Sequence, residues 1–250
     1  MARRESEGLP ALPGGELEPI ESEISKKWSQ GTVMDEVKEI IQLPRFDNEV
    51  AKQKEKLDLS AIKLDKAVTD QLRSYVTMLA GLYHENVPFH NFEHASHVTM
   101  SVVKLMSRIV APKSTDGDVD GDADKDLHDH TYGIASDPLT QFSVVLSALM
   151  HDVDHVGVPN TQLVKENADI CAMYKNQSVA EQNSVDISWN LLMHPDFQDL
   201  RSTIYSNKEE LSRFRQVRVA CVFSPFPAIG FTDRSFAALV TCCCPTSLSS

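Results

Sequence analysis

The chain has 250 residues, 42% of them hydrophobic and 24% charged, and its formal net charge is −12 at pH 7. This size fits one large globular domain with tails, and the negative charge argues against nucleic acid or an anionic membrane as a general partner. No apolar run approaches the roughly 18 residues of a membrane-spanning helix. Five cysteines without paired spacing fit a reducing compartment, so we predict a cytoplasmic protein, while a longer form could associate with a membrane.

The first part of the chain contains three predicted helices. Residues 1–27 are rich in Glu, Pro, Gly and Ser and are predicted to be disordered. Apolar residues then recur at helical spacing in three segments, at about 33–43, 65–83 and 91–110. Asn91 is a plausible N-cap of the third helix.

An acidic insertion, residues 111–136, interrupts this pattern and is predicted to be a solvated loop. Its aspartates match the first half of an EF-hand loop, but position twelve is Leu127 instead of the bidentate Glu that the motif needs. Asp137 and Pro138 then form a strong helix start. The following segment is apolar nearly all round, which predicts a buried central helix.

Two more helices are predicted towards the C-terminus. Ser178 and Glu181 match a capping box that opens one of them, and a short helix is expected over 207–216. The helical period is lost after this, so we expect residues 217–250 to be an atypical tail outside the fold, and our hypothesis is that this tail is translated from an intron. Since no convincing alternating strand is found, the sequence predicts an all-α protein.

Three of the nine histidines fall within the stretch FHNFEHASHV, residues 89–98. On the predicted helix, His94 lies at the edge of the apolar stripe and faces inward. His97 lies on the polar face and is predicted to be exposed, and His90 precedes the helix cap. On periodicity alone, a buried core histidine is the better explanation of His94.

A second cluster, LMHDVDHVGVPN, places His151, Asp152, Asp154 and His155 at the end of the buried helix. Two imidazoles and two carboxylates are costly to bury unless they are paired or bound to metal. Together with a distant histidine they offer nitrogen and hard oxygen donors. This mixture suits Zn²⁺ or Mn²⁺ at one site and Mg²⁺ or Mn²⁺ beside it through a shared carboxylate. A polar helix end that meets solvent is the alternative.

The two blocks, FHNFEH and HDVDHVGVPN in this order, resemble the catalytic domain of class I 3′,5′-cyclic nucleotide phosphodiesterases, among the HD-domain metal-dependent phosphohydrolases. The first matches His-Asn-x-x-His and the second His-Asp-x-x-His-x-Gly-x-x-Asn. The resemblance covers residues 28–216. It implies a multi-helix HD-domain bundle, of which the chain holds the N-terminal portion.

The resemblance also implies a role for each matching residue. His90 is expected to be the general acid that protonates the leaving O3′. The implied ligands of the first of two divalent metal ions are His94, His151 and Asp152. Asp152 would also bridge to the second metal, and His155 and Asn160 would lie around the metals and at the phosphate. Glu181 falls where the family has a glutamate near the metals, although the capping box explains it equally well.

The implied activity is hydrolysis of a cyclic nucleotide, cAMP or cGMP, to the 5′-nucleotide. The family completes its first metal site with an aspartate more than a hundred residues after the His-Asp pair, and fewer residues than that follow Asp152 here. We therefore expect an incomplete domain of undetermined oligomeric state. Two alternatives stay open: a truncated, catalytically impaired metal-binding fragment, and an HD-type phosphohydrolase with another phosphoester substrate.

Overall fold

The structure is a computed structural model and describes residues 45–46, 63–109, 121–131, 133–166 and 169–223. Across these ranges the chain is helical, without a β-strand, which confirms the all-α prediction. The predicted disorder of residues 1–27 and the helix predicted near 33–43 lie outside the described residues.

The first two described helices both have side-chain caps, and the cap of the second is the one that the sequence predicts. Helix α1, Lys66–Gly81, begins after Asp65, whose carboxylate accepts a hydrogen bond from the backbone N–H of Ala67 at 2.7 Å. Helix α2, Phe92–Ile109, begins after Asn91, whose side-chain oxygen accepts from a backbone N–H in the first turn at 3.0 Å. Both helix predictions are therefore confirmed.

The acidic insertion contains a helix, α3, Gly121–His130, so the loop predicted over residues 111–136 is wrong for this part. Tertiary contacts explain the difference. His128 is buried, its Nδ1 lies within hydrogen-bonding distance of the Ser136 hydroxyl, and its ring contacts Phe46 with centroids 5.6 Å apart. These contacts outweigh the weak helix propensity of an aspartate-rich segment.

The predicted central helix is α4, Pro138–Met150. Asp137 caps it by accepting hydrogen bonds from the backbone N–H and the hydroxyl of Thr140 at 2.9 and 2.6 Å. The remaining helical elements are α5 (Asn160–Lys165), α6 (Asp169–Met173), α7 (Val179–Leu192), a 3₁₀ turn (Pro195–Phe197), α8 (Gln198–Ile204) and α9 (Lys208–Phe223).

Helix α4 lies at the centre of the described fold, because it packs against both α2 and α9. Its buried side chains include Leu146 and Met150, which join a core with residues of α1, α7 and α9 such as Leu79, Leu192 and Phe214. Helix α4 has only 13 residues. None of the described helices combines the length and apolar character that crossing a bilayer requires.

The last helix is longer than the sequence predicts. Helix α9 does not end at Gln216 but continues to Phe223, and Val217, Arg218 and Val219 are all buried. The loss of apolar period does not end the helix because several of its faces contact other parts of the fold. The predicted boundary between domain and tail at Gln216 therefore falls inside a helix and has to be moved; the rest of the predicted domain organisation stays a prediction.

Candidate metal centre

The two histidine clusters meet in space. His90 and His94 come from the turn before α2 and from its first turn, while His151 and Asp152 follow the last residue of α4. The contact between α2 and α4 brings these segments together. Helix packing therefore assembles residues that lie about 60 positions apart in the sequence.

Asp152 is at the centre of the cluster and is only 5% exposed. Its Oδ2 lies 2.7 Å from His90 Nδ1, 3.1 Å from His151 Nε2 and 3.9 Å from His94 Nε2. Burial raises the pKa of Asp152, but hydrogen bonds from His151 and His90 outweigh this effect and hold the pKa well below its usual range. The carboxylate is therefore ionised and faces three imidazoles.

His94, His151 and Asp152 have the donor atoms and the spacing of a metal site. One ligand atom from each lies within 4.8 Å of the others. His94 Nε2 is buried and has no hydrogen-bond partner among the described residues. Burial and the neighbouring charge of His151 lower the pKa of His94, which favours the neutral form that a metal needs.

His151 is oriented towards the same point by its other nitrogen. Its Nδ1 lies 2.9 Å from the carbonyl oxygen of Ala148 and donates to it, so Nε2 is directed at Asp152. Burial lowers the pKa of His151, but the bond to Asp152 outweighs it and raises the pKa overall. A cation at this point would replace the Nε2 proton, which is the usual arrangement of a metal-binding histidine. The residues therefore fit a divalent metal.

A second group shares Asp152. Ligand atoms of His90, Asp152 and His155 also lie within 4.8 Å of one another. The rings of His90 and His155 stack with centroids 3.8 Å apart, and His155 Nδ1 accepts a hydrogen bond from the backbone N–H of Gly157 at 2.9 Å. Burial lowers the pKa of His155. In this second group His90 has the position of a metal ligand, whereas the resemblance predicts that it is a proton donor.

Asn160 and Glu181 pair with each other, and the predicted capping box is wrong. Ser178 has φ 38° and makes no side-chain cap bond. Instead, the Asn160 side-chain oxygen accepts from the N–H of Ala180 at 2.9 Å and its Nδ2 donates to Glu181 at 2.8 Å. Asn160, 18 residues before Ser178, therefore takes the capping role at the start of α7.

The sequence did not identify the residues that hold the segment between α4 and α5 in place. This segment, residues 151–159, is called the motif loop below. Asp154 accepts hydrogen bonds from His84 Nε2 and from Asn183 Nδ2, both at 2.9 Å. Ser184 donates to the carbonyl oxygen of Val153 at 2.7 Å. The available signal was Asp154 itself, the one acidic residue of HDVDH for which the resemblance supplied no role.

The third histidine of the opening stretch does not join the cluster. His97 is exposed, as predicted. Phe89, which the sequence did not single out, contacts His94 with ring centroids 4.4 Å apart and is 41% exposed. The cluster thus has an apolar ring at its edge.

Two comparisons of the sequence with known proteins point to one family. The sequence model of the family described as 3′5′-cyclic nucleotide phosphodiesterase matches residues 89–224, just over half of the chain. The 3′,5′-cyclic-AMP phosphodiesterase 4C of Rattus norvegicus is 29% identical over 160 residues, which cover 62% of this chain and 25% of that protein. The cGMP-specific 3′,5′-cGMP phosphodiesterase 3 of Dictyostelium discoideum is 25% identical over 146 residues, which cover 58% and 26%.

The structure resembles the phosphodiesterase domain of the rhodopsin phosphodiesterase of Salpingoeca rosetta, with a TM-score of 0.49, 16% sequence identity, and coverage of 90% of this chain and 66% of that one. The chain spans about a quarter of the length of the curated relatives that it matches.

Proposed function

Because the chain belongs to the 3′5′-cyclic nucleotide phosphodiesterase family, we propose that it hydrolyses a 3′,5′-cyclic nucleotide, cAMP or cGMP, to the 5′-nucleotide. The observation that carries the proposal is the ionised Asp152 carboxylate within 4 Å of three imidazoles, which come from the start of α2, the turn before it and the end of α4. This is a concentrated set of metal ligands next to a candidate proton donor.

We propose a site for two divalent cations, with the first held by His94, His151 and Asp152 and the second beside it at Asp152. Imidazole and carboxylate donors suit Zn²⁺ or Mn²⁺ at the first position, and Mg²⁺ or Mn²⁺ is proposed at the second position, which shares the Asp152 carboxylate. When bound, such cations supply charge neutralisation at the phosphodiester and lower the pKa of bound water.

His90 is proposed as the general acid. Its Nδ1 donates to Asp152, which fixes the ring and leaves Nε2 to hold the proton that is transferred. In the reaction, the oxygen of hydroxide forms a bond to phosphorus, the bond between phosphorus and O3′ breaks, and the proton on His90 passes to O3′. His155 supports the His90 ring through the stack.

Asn160 and Glu181 are proposed to act near the metals as a hydrogen-bonded pair. The side-chain oxygen of Asn160 accepts from Ala180 and its Nδ2 donates one hydrogen to Glu181, which orients Glu181 and leaves the second Nδ2 hydrogen for the phosphate. Cytoplasmic location stays a prediction from the cysteine pattern.

The test is hydrolysis of cAMP and cGMP by the full chain with Mn²⁺, Mg²⁺ or Zn²⁺, compared with His90→Ala. We expect turnover to fall roughly 100-fold or more in His90→Ala, the typical size of a general-acid contribution, while the bound metal per chain stays unchanged. Loss of metal in His90→Ala would make His90 a ligand instead of an acid. A chain that binds metal without turnover would support the impaired-fragment alternative, and turnover of other phosphoesters alone would support the other phosphohydrolase.

A further inference from the structure

We propose that His84, Asp154 and Asn183 form a clamp that sets the relative positions of His90 and His155. The proposal rests on the proposed function and adds positioning residues that lie outside the ligand set. We call the three residues the Asp154 clamp.

The Asp154 clamp joins three separate segments through one carboxylate. Oδ1 of Asp154 accepts from His84 Nε2 and Oδ2 accepts from Asn183 Nδ2, each at 2.9 Å. His84 lies in the turn after α1, six residues before His90, and Asn183 lies in α7. Asp154 immediately precedes His155. A single side chain thus ties the segment that carries His155 to the one that carries His90.

A second contact joins the same two segments. Gly157 has φ +81°, and a Cβ atom at this position would lie 3.2 Å from Val87 Cγ1, so the two chains approach closely. The carbonyl oxygen of Val87 accepts from Asn91 Nδ2 at 3.1 Å. Because His90 lies between Val87 and Asn91, a shift of the 84–87 turn relative to the motif loop would move His90 with it.

The clamp also stabilises an unfavourable backbone conformation at Asp154. Asp154 has φ 60°, a left-handed conformation that costs an L-residue other than glycine about 1 kcal/mol or more. The two hydrogen bonds of its carboxylate stabilise that conformation. The direction in which the chain leaves Asp154 places the His155 ring on His90, with centroids 3.8 Å apart and planes inclined by 24°.

Stability of the fold alone does not explain the pair between His84 and Asp154. Both side chains are 38% exposed. A pair this exposed contributes about 0–1 kcal/mol to stability. A larger effect is expected on the reaction, because small displacements of a proton donor reduce turnover steeply.

The test compares His84→Ala, His84→Gln, Asp154→Ala and Asp154→Gly in the full metal-loaded chain. We expect kcat to fall about 10- to 100-fold in His84→Ala and Asp154→Ala, with KM changed by less than about threefold. His84→Gln keeps a side-chain N–H donor and should recover most of the turnover. Asp154→Gly relieves the backbone strain without restoring the carboxylate, so it should stay as impaired as Asp154→Ala.

Three controls separate positioning from folding. Glu85→Ala, an exposed neighbour of His84, should match the wild type. The double variant His84→Ala/Asp154→Ala should be no slower than Asp154→Ala, since that single substitution already removes the contact between His84 and Asp154. The midpoint of thermal unfolding should move by only a few degrees in His84→Ala.

A measurement independent of turnover keeps the two proposals distinguishable. In protein with ¹³C-labelled histidine, the ring-proton resonances of His90 and His155 should shift in His84→Ala and return in His84→Gln, because the stack changes. If the wild type hydrolyses no cyclic nucleotide but these shifts occur, the proposed activity fails and the clamp stands. If His84→Ala has the same kcat as the wild type and its His90 and His155 resonances are unchanged, the proposed clamp is wrong.

Discussion

The Oδ2 atom of Asp152 lies close to three imidazoles, and each imidazole presents a different nitrogen environment. His151 reaches it through Nε2 while Nδ1 is held by a backbone carbonyl, and His90 reaches it through Nδ1. His94 Nε2 stays 3.9 Å away. This asymmetry supports the proposed proton-donor role of His90 and the proposed ligand roles of the other two, which the resemblance implies.

His94 and His97 form a matched pair of histidines on one helix. We expect His94→Ala to weaken Mn²⁺ or Zn²⁺ binding by about 100-fold or more, since losing a ligand should cost at least as much as losing one of its supporting partners. His97→Ala removes an exposed imidazole and should bind metal as the wild type does. Isothermal titration with each metal measures both affinities, and equal affinities in the two variants would remove His94 from the site.

The elements of the fold were predicted well where the signal was local. Asp65, Asn91 and Asp137 cap the helices that their sequences indicate. Helix α3 and the extension of α9 were missed because buried contacts of residues such as His128 and Val219, which no local pattern reveals, outweigh weak propensity.

In the candidate site, too, local patterns predicted some residues and missed others. The two histidine blocks were visible as clustered residues, and the resemblance supplied their roles. Asp154 pairs with His84 and Asn183, and Asn160 pairs with Glu181. These pairs join residues 21 to 70 positions apart. Hydrogen bonds of this range depend on the tertiary fold, so no spacing within the sequence predicts them.

Helix α7 depends on a cap from another segment. We expect Asn160→Ala to lower the free energy of unfolding by about 0.5–2 kcal/mol, the usual effect of losing a helix cap. Asn160→Asp keeps the oxygen that accepts from Ala180 but places a carboxylate beside Glu181. It should therefore keep the cap at α7 while weakening the pair with Glu181.

Urea unfolding of these variants checks the prediction. Asn190→Ala, an exposed substitution towards the other end of α7, serves as the control and should stay within about 0.5 kcal/mol of the wild type. An Asn160→Ala variant as stable as this control would mean that the cap contributes nothing.

Glu210, near the start of α9, should make the stability of the fold depend on pH. Glu210 accepts from the backbone N–H and the hydroxyl of Ser206, and these bonds lower the pKa of Glu210 from its ordinary 4.5. A lowered folded-state pKa stabilises the protein above the unfolded-state pKa, and this contribution is lost as the pH falls through the folded-state value.

We therefore expect Glu210→Gln to be less stable than the wild type at neutral pH by about 0.5–1 kcal/mol, with the difference disappearing on acidification below about 4.5. Urea midpoints across this range measure it. Glu209→Gln, an exposed neighbour, is the matched control. A deficit of Glu210→Gln that grew on acidification would contradict the assigned direction of the pKa shift.

At the scale of the whole molecule, a bound metal would connect α2 to the end of α4. His94 comes from the former, and His151 and Asp152 from the latter. Since these ligands come together only in the folded chain, metal binding should stabilise the fold. At a free metal concentration 100 times the Kd, the gain is about 2.7 kcal/mol, which raises the Tm by on the order of 5–10 °C.

Thermal unfolding with Mn²⁺, and again after EDTA, measures this effect. The rise should be reversed by the chelator and should be absent in the double variant His94→Ala/His151→Ala. A rise of equal size in that variant would place the stabilising metal elsewhere in the molecule.

The close approach of Gly157 to Val87 also has a consequence for how the chain can vary. A side chain at position 157 meets two separate penalties, since it would crowd Val87 and would have to adopt a φ of +81°. A smaller residue at position 87 removes the first penalty and leaves the second. Among descendants of this sequence, position 157 should therefore accept glycine and little else, whichever apolar residue occupies the buried position 87.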